Sequence, residues 1–263
     1  MNRYLPYIAL VCITLGFAFP AGLSAGEGDD RLRLEIDALK KGQADILKQL
    51  GEIKKLVTPK KRELVSDINV TLDVAEDPTK GSADAKVALI EFTDYQCPYC
   101  GRYVKTVMPQ VMKDYVDTGK VRYVLRDFPL PFHKEARNAA FAAHCAGEQG
   151  KYWEMHDALF ENQKALTPEK LRQYAVTLGL DTAAYDECLA SGRYDDTVTE
   201  SLEDGRKATV SGTPSFVVGV IGDDSEVKGT KIIRGAVSYP VFKTTLDKLL
   251  NPPKETAESK ATD

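Results

Sequence analysis

Two cysteines in the sequence C-P-Y-C, over 97–100, restrict the possible folds of this chain more than any other feature. An apolar, strand-like run over 86–92 precedes them, and a helix-like run over 101–117 follows them. Two thiols with this spacing at a helix start can close a small disulfide ring. The unpaired N–H groups and the macrodipole of a helix N-terminus favour a thiolate at the first thiol. The pattern therefore predicts that Cys97 attacks disulfides and that Cys100 resolves the mixed disulfide.

The same pair is compatible with half of a zinc site or with an inert structural disulfide. A tetrahedral zinc site needs a second pair of ligands. Cys145 and Cys188 stand far apart, and neither belongs to a second C-x-x-C or to a His-x-x-x-His motif. A four-residue ring restrains little unfolded chain, so a structural role alone adds little stability. The histidines His133, His144 and His156 are too scattered for a metal or catalytic set, and His156 is expected to pack among helices and His144 at the surface. No metal or organic cofactor is expected.

The first residues, over 1–25, have the pattern of a secretory signal. Arg3 supplies a short basic start, 8–19 form an apolar core, and a small residue at Ala25 suits cleavage. The alternative is an uncleaved membrane anchor, because 5–23 is nearly long enough to span a bilayer. The sequence thus predicts a periplasmic or otherwise extracytoplasmic protein, either free or tethered at its N-terminus.

Charge and cysteine content agree with an exported protein. Residues 1–25 carry one charged side chain, Arg3, so without them the chain is one unit more negative than its formal −4. A negative balance argues against nucleic acid as a partner. Of the five cysteines, Cys12 falls in the signal, which leaves an even number in an oxidising compartment.

A heptad pattern runs through 30–57. Its seam alternates in steps of four and three: Leu32, Ile36, Leu39, Gln43, Ile46, Leu50, Ile53 and Val57. Such spacing is typical of a coiled coil, and a lone helix of this length must bury its apolar stripe. The pattern predicts a homo-oligomer, dimer or trimer, formed through 32–57. The alternative is an amphipathic helix folded back on its own domain.

The remaining chain alternates between strand and helix signals. A hinge over 58–65 leads to predicted strands over 66–74, 87–92 and 121–126, with a turn-rich loop over 77–85. Pro109 is expected to kink the helix after the cysteines. The segment 132–209 is helical throughout, with Thr167 and Asp181 as expected N-caps. Strands over 216–221 and 231–234, a helix over 239–250 and a disordered tail over 251–263 complete the chain.

Cys145 and Cys188 both fall in the helical segment. We expect them to form a structural disulfide, because the closed loop is long enough for a large gain in stability. A second redox pair is the alternative, although it would need exposure that Ala-rich helix faces seldom provide.

Three local motifs resemble one known family. The run E-F-T-D-Y-Q-C-P-Y-C over 91–100 resembles the E-F-x-D-x-x-C-P-x-C of the DsbA-like branch of bacterial disulfide oxidoreductases. Q-G-K-Y-W followed by H-D, over 149–157, resembles the signature of its helical domain, and G-T-P-S-F over 212–216 resembles its cis-proline loop. The resemblance covers roughly 66–250. It implies an α/β thioredoxin fold, over 66–131 and 210–250, with an inserted helical domain over 132–209.

The resemblance also implies roles for single residues. Pro214 would be cis and would lie against the cysteine pair, leaving the backbone of Thr213 to pair with an extended substrate segment; a trans turn proline is the alternative. Glu91 would be a buried carboxylate that shuttles the proton of Cys100, although an acidic residue in a strand is more often solvated. Pro98 and Tyr99 would tune the pair and contact the substrate.

These expectations define a function. The chain would be an exported thiol–disulfide oxidoreductase that forms or rearranges disulfides in cysteine-containing proteins and exchanges electrons with a membrane partner. Thr213 favours rearrangement of disulfides over their donation, because a threonine at this position is closer to the isomerase-like relatives. The seam over 32–57 favours it too, because an oligomer with several active sites suits rearrangement. The alternative is a non-catalytic thioredoxin-like scaffold or surface protein.

Overall fold

A computed structural model describes residues 27–57, 63–222 and 225–252. The chain divides into two compact units, 1–62 and 63–263. The predicted signal and most of the predicted hinge and tail lie outside the described residues. None of the described helices is both long and apolar enough to cross a membrane.

The described part of the first unit is one helix, α1, over Glu27–Val57. At 1.5 Å per residue its 31 residues span about 46 Å. The seam side chains from Leu32 to Ile53 are exposed within this unit, Leu39 at 74% and Ile46 at 60%. An apolar stripe therefore runs along the helix, and Leu34 and Leu47 are also exposed outside the seam.

The second unit is built on a mixed six-stranded sheet with the order β1-β6-β5-β3-β4-β2. The strands are β1 (Val65–Asp73), β2 (Thr79–Lys80), β3 (Val87–Thr93), β4 (Val121–Asp127), β5 (Ser215–Ile221) and β6 (Glu226–Arg234). β3 and β4 are parallel, and the other neighbouring strands are antiparallel. Every residue of β3 is buried, because helices or loops cover both faces of the central sheet.

The short strand β2 lies in the segment expected to be a loop. Thr79 pairs with Val124 and Lys80 pairs with Tyr123, both in β4. The indole N–H of Trp153 donates to the Thr79 carbonyl at 3.2 Å. Two residues are too few to show strand periodicity, so contacts distant in sequence define this strand.

The helix after the cysteines is interrupted, as Pro109 predicts. It comprises α2 (Pro98–Thr106), α3 (Met108–Val111) and a π-helical turn over Met112–Val116. The break falls at Val107, where the chain adjusts before a proline that has no N–H to donate. Near the C-terminus, α9 (Tyr239–Leu250) buries Phe242 and Leu246 in the cluster that also contains Tyr103.

Five helices form the segment between β4 and β5. They are α4 (Ala136–Gly147), α5 (Tyr152–Glu161), α6 (Pro168–Thr177), α7 (Thr182–Ser191) and α8 (Asp195–Lys207). A disulfide joins Cys145 of α4 to Cys188 of α7, with 5.8 Å between the Cα atoms. Asp181 caps α7 by accepting from the N–H groups of Ala183 and Ala184. The Thr167 side chain makes no such bond at α6, so the expected side-chain cap there is wrong.

The expectation that His144 lies at the surface is also wrong. Its side chain is buried, and Nε2 lies 2.7 Å from Oδ2 of Asp127 at the end of β4. The ring stacks on Tyr194 of the segment leading into α8, with 4.7 Å between ring centroids. A carboxylate and an aromatic ring distant in sequence thus satisfy a polar side chain on the buried face of α4. His156 is fully buried among helices, as predicted.

Candidate active site

The cysteine pair lies at the junction of β3 and α2. Cys97 is the N-cap residue of α2 with extended backbone angles (φ −72°, ψ 118°), and its N–H donates to the Asp94 carbonyl at 3.0 Å. Pro98 fits the first helical position, where no N–H is needed. Both thiols are free and buried, with 3% of Cys97 and none of Cys100 exposed.

The two thiols differ sharply in acidity. The pKa of Cys97 is lowered to about 6, chiefly because the Cys100 thiol donates to its sulfur. Burial opposes this effect, whereas Thr213 and the N–H groups of Cys100 and Tyr99 add to it. Burial raises the pKa of Cys100 well above its ordinary value, and the Cys97 sulfur and the charge of Glu91 add to this effect. At neutral pH the first sulfur is therefore a thiolate and the second a thiol.

The loop before β5 contacts the pair from the other side. The Thr213–Pro214 peptide bond is cis, and the Thr213 carbonyl accepts a hydrogen bond from the Cys97 thiol when that thiol is protonated, at 3.3 Å. Thr213 and Pro214 are buried. Pro98 and Tyr99 are exposed beside the buried thiols, and the Arg102 guanidinium lies 5.0 Å from the Tyr99 ring centroid. The sequence-predicted residues of this group are thus brought together.

Glu91 lies beneath the pair with none of its surface exposed. Burial raises the pKa of its carboxyl to about 7, although the hydrogen bond from Tyr123 and the nearby Thr93 side chain partly oppose the rise. The Tyr123 hydroxyl donates to Oε2, whereas Oε1 has no hydrogen-bond partner among the described residues. A carboxyl group with this pKa can both take up and release a proton near neutral pH.

Asp94 fixes the segment before the pair, a role the sequence did not indicate. The buried carboxylate accepts the N–H of Gln96 at 2.8 Å and that of Leu130 at 2.7 Å, and it lies 2.7 Å from Nδ1 of His133. These bonds tie the turn at the end of β3 to the loop after β4. The motif contained this aspartate, but Leu130 and His133 lie more than 30 residues away in sequence.

Gln163 is a second residue that sequence reasoning missed. Its side-chain amide donates to the carbonyls of Tyr95 and Cys97, each at 2.9 Å. Its Oε1 occupies the space beside Gly101, where an added Cβ would approach to 2.0 Å. Gly101 therefore allows the insert to hold the backbone on either side of the reactive thiol.

Within the three described ranges, no cluster of three or more His, Cys, Asp or Glu side chains is arranged to hold a metal ion. Cys145 and Cys188 are both buried and already joined.

A family model described as thioredoxin matches residues 73–230, more than half of the chain. The chain belongs to the thioredoxin family. The matched residues include both cysteines, Glu91 and Pro214. The thioredoxin-type α/β fold predicted from the motifs is confirmed, as is the helix before it.

Several solved structures and named proteins are also similar to this chain. BdbD from Bacillus subtilis, in its oxidised crystal structure, is 25% identical, with a TM-score of 0.61 over 70% of this chain and 98% of that one. A protein named putative protein-disulfide oxidoreductase from Rickettsia felis is 28% identical over 74% of this chain and 68% of its own. Na(+)/H(+) antiporter NhaA 3 from Salinispora tropica is 40% identical over 59% of this chain, which spans only 24% of that protein.

Proposed function

We propose that this thioredoxin-family protein is a thiol–disulfide oxidoreductase that acts on cysteines of other proteins. The observation that carries the proposal is the pairing of a buried, high-pKa Cys100 with a Cys97 whose pKa is about 6. An attacking thiol needs a large thiolate fraction, and a resolving thiol must stay protonated until its turn.

The exchange proceeds in two displacements. The Cys97 thiolate attacks one sulfur of a substrate disulfide; that S–S bond breaks, a mixed disulfide forms, and the other substrate sulfur leaves as a thiolate. Cys100 then loses its proton and attacks the Cys97 sulfur, which releases the second substrate sulfur as a thiolate and closes the Cys97–Cys100 disulfide. Two electrons pass to the substrate. The reverse sequence donates a disulfide, and a membrane partner restores the starting redox state.

Glu91 handles the proton of Cys100 in both directions. With a pKa of about 7, its carboxylate accepts this proton when Cys100 attacks, and its neutral form returns it when Cys100 leaves. An extended substrate segment lies against the backbone of Thr213. The exposed Pro98 and Tyr99 contact the residues around the substrate cysteine.

The protein works outside the cytoplasm. Support comes from the Cys145–Cys188 disulfide, because structural disulfides persist in oxidising compartments and are rare in the cytosol. This disulfide stabilises the helical insert and takes no part in exchange.

Copies of the chain associate through α1 as a parallel coiled coil. The seam residues from Leu32 to Ile53 are exposed within their unit and form an apolar stripe with one polar position, Gln43. The seam spacing puts Leu39 at heptad position d and Gln43 at position a. Glu35 then lies at position g and faces Lys40 at position e of a parallel neighbour. An antiparallel neighbour would instead set e against e, where Arg33 and Lys40 are both cationic. Several reactive pairs then belong to one particle, which suits the rearrangement of wrong disulfides.

Reactivation of scrambled ribonuclease in a glutathione buffer tests the function. We expect reactivation by the full chain and its loss in Cys97→Ser, whereas Cys100→Ser traps mixed disulfides. Oxidation of reduced ribonuclease without reactivation of the scrambled form would indicate a disulfide donor. Inactivity in both assays would refute the proposal and favour a non-catalytic scaffold.

Sedimentation equilibrium of the full chain tests the assembly. We expect a mass that is a multiple of one chain and a monomer for Ile46→Asp, with Lys48→Asp on the opposite face as the matched control. Lys40→Glu should weaken a parallel assembly, and adding Glu35→Lys should restore it. A monomeric wild-type protein would refute self-association.

A further inference from the structure

Several buried oxygens near the reactive pair lack a hydrogen-bond partner among the described residues, and two of them belong to β3. One is Oε1 of Glu91, and the other is Oγ1 of Thr93. Both residues are almost completely buried, Glu91 at 0% and Thr93 at 1% exposure. A buried polar oxygen without a partner costs free energy, so an oxygen left in this state at a reactive site needs a reason.

The strand geometry places these groups on one side of the sheet. Residues i and i+2 of a strand share a face, so Glu91 and Thr93 of β3 point to the same side. Leu89 shares this face and packs in the cluster that contains Tyr103 of α2, the helix that carries Cys100. Pairing of Thr93 with Asp127 in β4, and a bond from the Phe128 N–H to the Thr93 carbonyl, fix its backbone.

Electrostatics agree with this placement. The nearby Thr93 side chain lowers the pKa of the Glu91 carboxyl and that of the Cys100 thiol, in both cases against the larger effect of burial. Its hydroxyl forms no hydrogen bond with a described residue in this structure. A single hydroxyl is thus close enough to the acid and the thiol to influence both, and it is not held by another partner among the described residues.

Tyr123 holds the other side of the acid. Its buried hydroxyl donates to Oε2 of Glu91, so the carboxyl group cannot turn freely and Oε1 remains available. Tyr123 lies on β4 opposite Leu89. The carboxyl group thus has one anchored oxygen and one oxygen without a hydrogen-bond partner among the described residues.

Resting on the proposed function, we propose that the Thr93 hydroxyl relays the proton between Cys100 and Oε1 of Glu91, while Tyr123 positions the carboxyl group for this transfer. When Cys100 attacks, its proton passes to the Thr93 oxygen as the Thr93 proton passes to Glu91. The Cys100 thiolate forms the bond to Cys97, and the substrate sulfur leaves with the electron pair of the broken bond. A hydroxyl both donates and accepts, so it can serve both directions.

Single-turnover reaction of the reduced full chain with oxidised glutathione separates the two steps. Acid quenching and mass spectrometry follow first the formation of the Cys97 mixed disulfide and then its resolution by Cys100. Thr93→Val keeps the shape and the strand preference of the side chain but removes the hydroxyl. Thr71→Val, on the exposed face of β1, makes the same chemical change away from the site.

We expect Thr93→Val to slow resolution at least about tenfold at pH 7 and to leave mixed-disulfide formation within about twofold. The rate at which wild-type Cys100 resolves the mixed disulfide should increase with pH around pH 7, the pKa of Glu91. This increase should disappear in Thr93→Val. Thr93→Ser should restore the rise and bring the rate within about threefold, and Thr71→Val should match the wild type. Tyr123→Phe should move the rise to higher pH and lower the rate at pH 7 about threefold, because loss of a donor disfavours the carboxylate.

Several results would overturn the relay. One is resolution by Thr93→Val at the wild-type rate with an unchanged pH profile. Equal slowing of both steps, or failure of Thr93→Ser to restore resolution, would assign the effect to packing. A wild-type protein that forms no mixed disulfide would instead overturn the proposed function and the relay with it.

Discussion

Acidification through pH 6 should abolish the reactivity of Cys97. Its pKa is lowered from 9.0 to about 6, with the hydrogen bond from the Cys100 thiol as the largest cause. Rates of alkylation and the ultraviolet absorbance of the thiolate should both show a transition near pH 6. In the reduced protein this ionisation adds stability that is fully present above pH 9 and is lost as the pH falls through about 6.

The size of the effect at neutral pH follows from the pKa. At pH 7 the thiolate exceeds the thiol about tenfold, whereas an ordinary thiol is almost wholly protonated. This excess stabilises the reduced form by about 1.4 kcal/mol, an upper bound because solvent screens part of the sulfur's surroundings. For a two-electron couple, that free energy makes the pair more oxidising by about 30 mV.

Two variants provide controls. Cys97→Ala should remove the transition, and Cys100→Ala should keep it but move it toward the ordinary thiol value, because the principal donor is lost. A wild-type midpoint near pH 9, or a transition near pH 6 that survives Cys97→Ala, would refute the reasoning.

Three further predictions concern stability, each measured by chemical denaturation. Glu91→Gln should raise the free energy of unfolding by about 3 kcal/mol relative to the wild type at pH 8 and leave it unchanged at pH 4. Burial raises the folded-state pKa of Glu91 from 4.5 to about 7, so the wild type loses stability as the pH rises through that range. An equal gain at both pH values would contradict this. Replacing Cys145 and Cys188 together by Ala should cost about 4 kcal/mol by the chain-entropy model for a separation of 43 residues, and no loss would exclude a structural role. Gly101→Ala and Gln163→Ala should each cost about 1–3 kcal/mol, the first through crowding and the second through two orphaned carbonyls. The double variant should lose less than the sum, and strict additivity would show that the two positions do not interact.

Much of the fold could be predicted because its signals are local. The apolar run before Cys97, the helix start at Pro98 and the sequence around Pro214 each depend on a few neighbouring residues. These local signals also sufficed to place the cysteine pair beside the proline loop, given the family resemblance.

The residues that sequence reasoning missed act over long distances. Gln163 bonds to Cys97 from 66 positions away, and Tyr123 reaches Glu91 from the adjacent strand. His144 carries no periodic signal of burial, because its partner Asp127 belongs to another element. Tertiary packing alone determines such contacts, and a single sequence does not reveal them.

The contact between Cys97 and Thr213 spans 116 positions of the chain. Synthesis is vectorial, so both cysteines of the pair emerge long before the loop that completes their surroundings. An early segment that ends before Thr213 carries two thiols but lacks the carbonyl that faces Cys97. The pair therefore acquires its full chemical environment last, which ties the onset of its reactivity to the completion of folding.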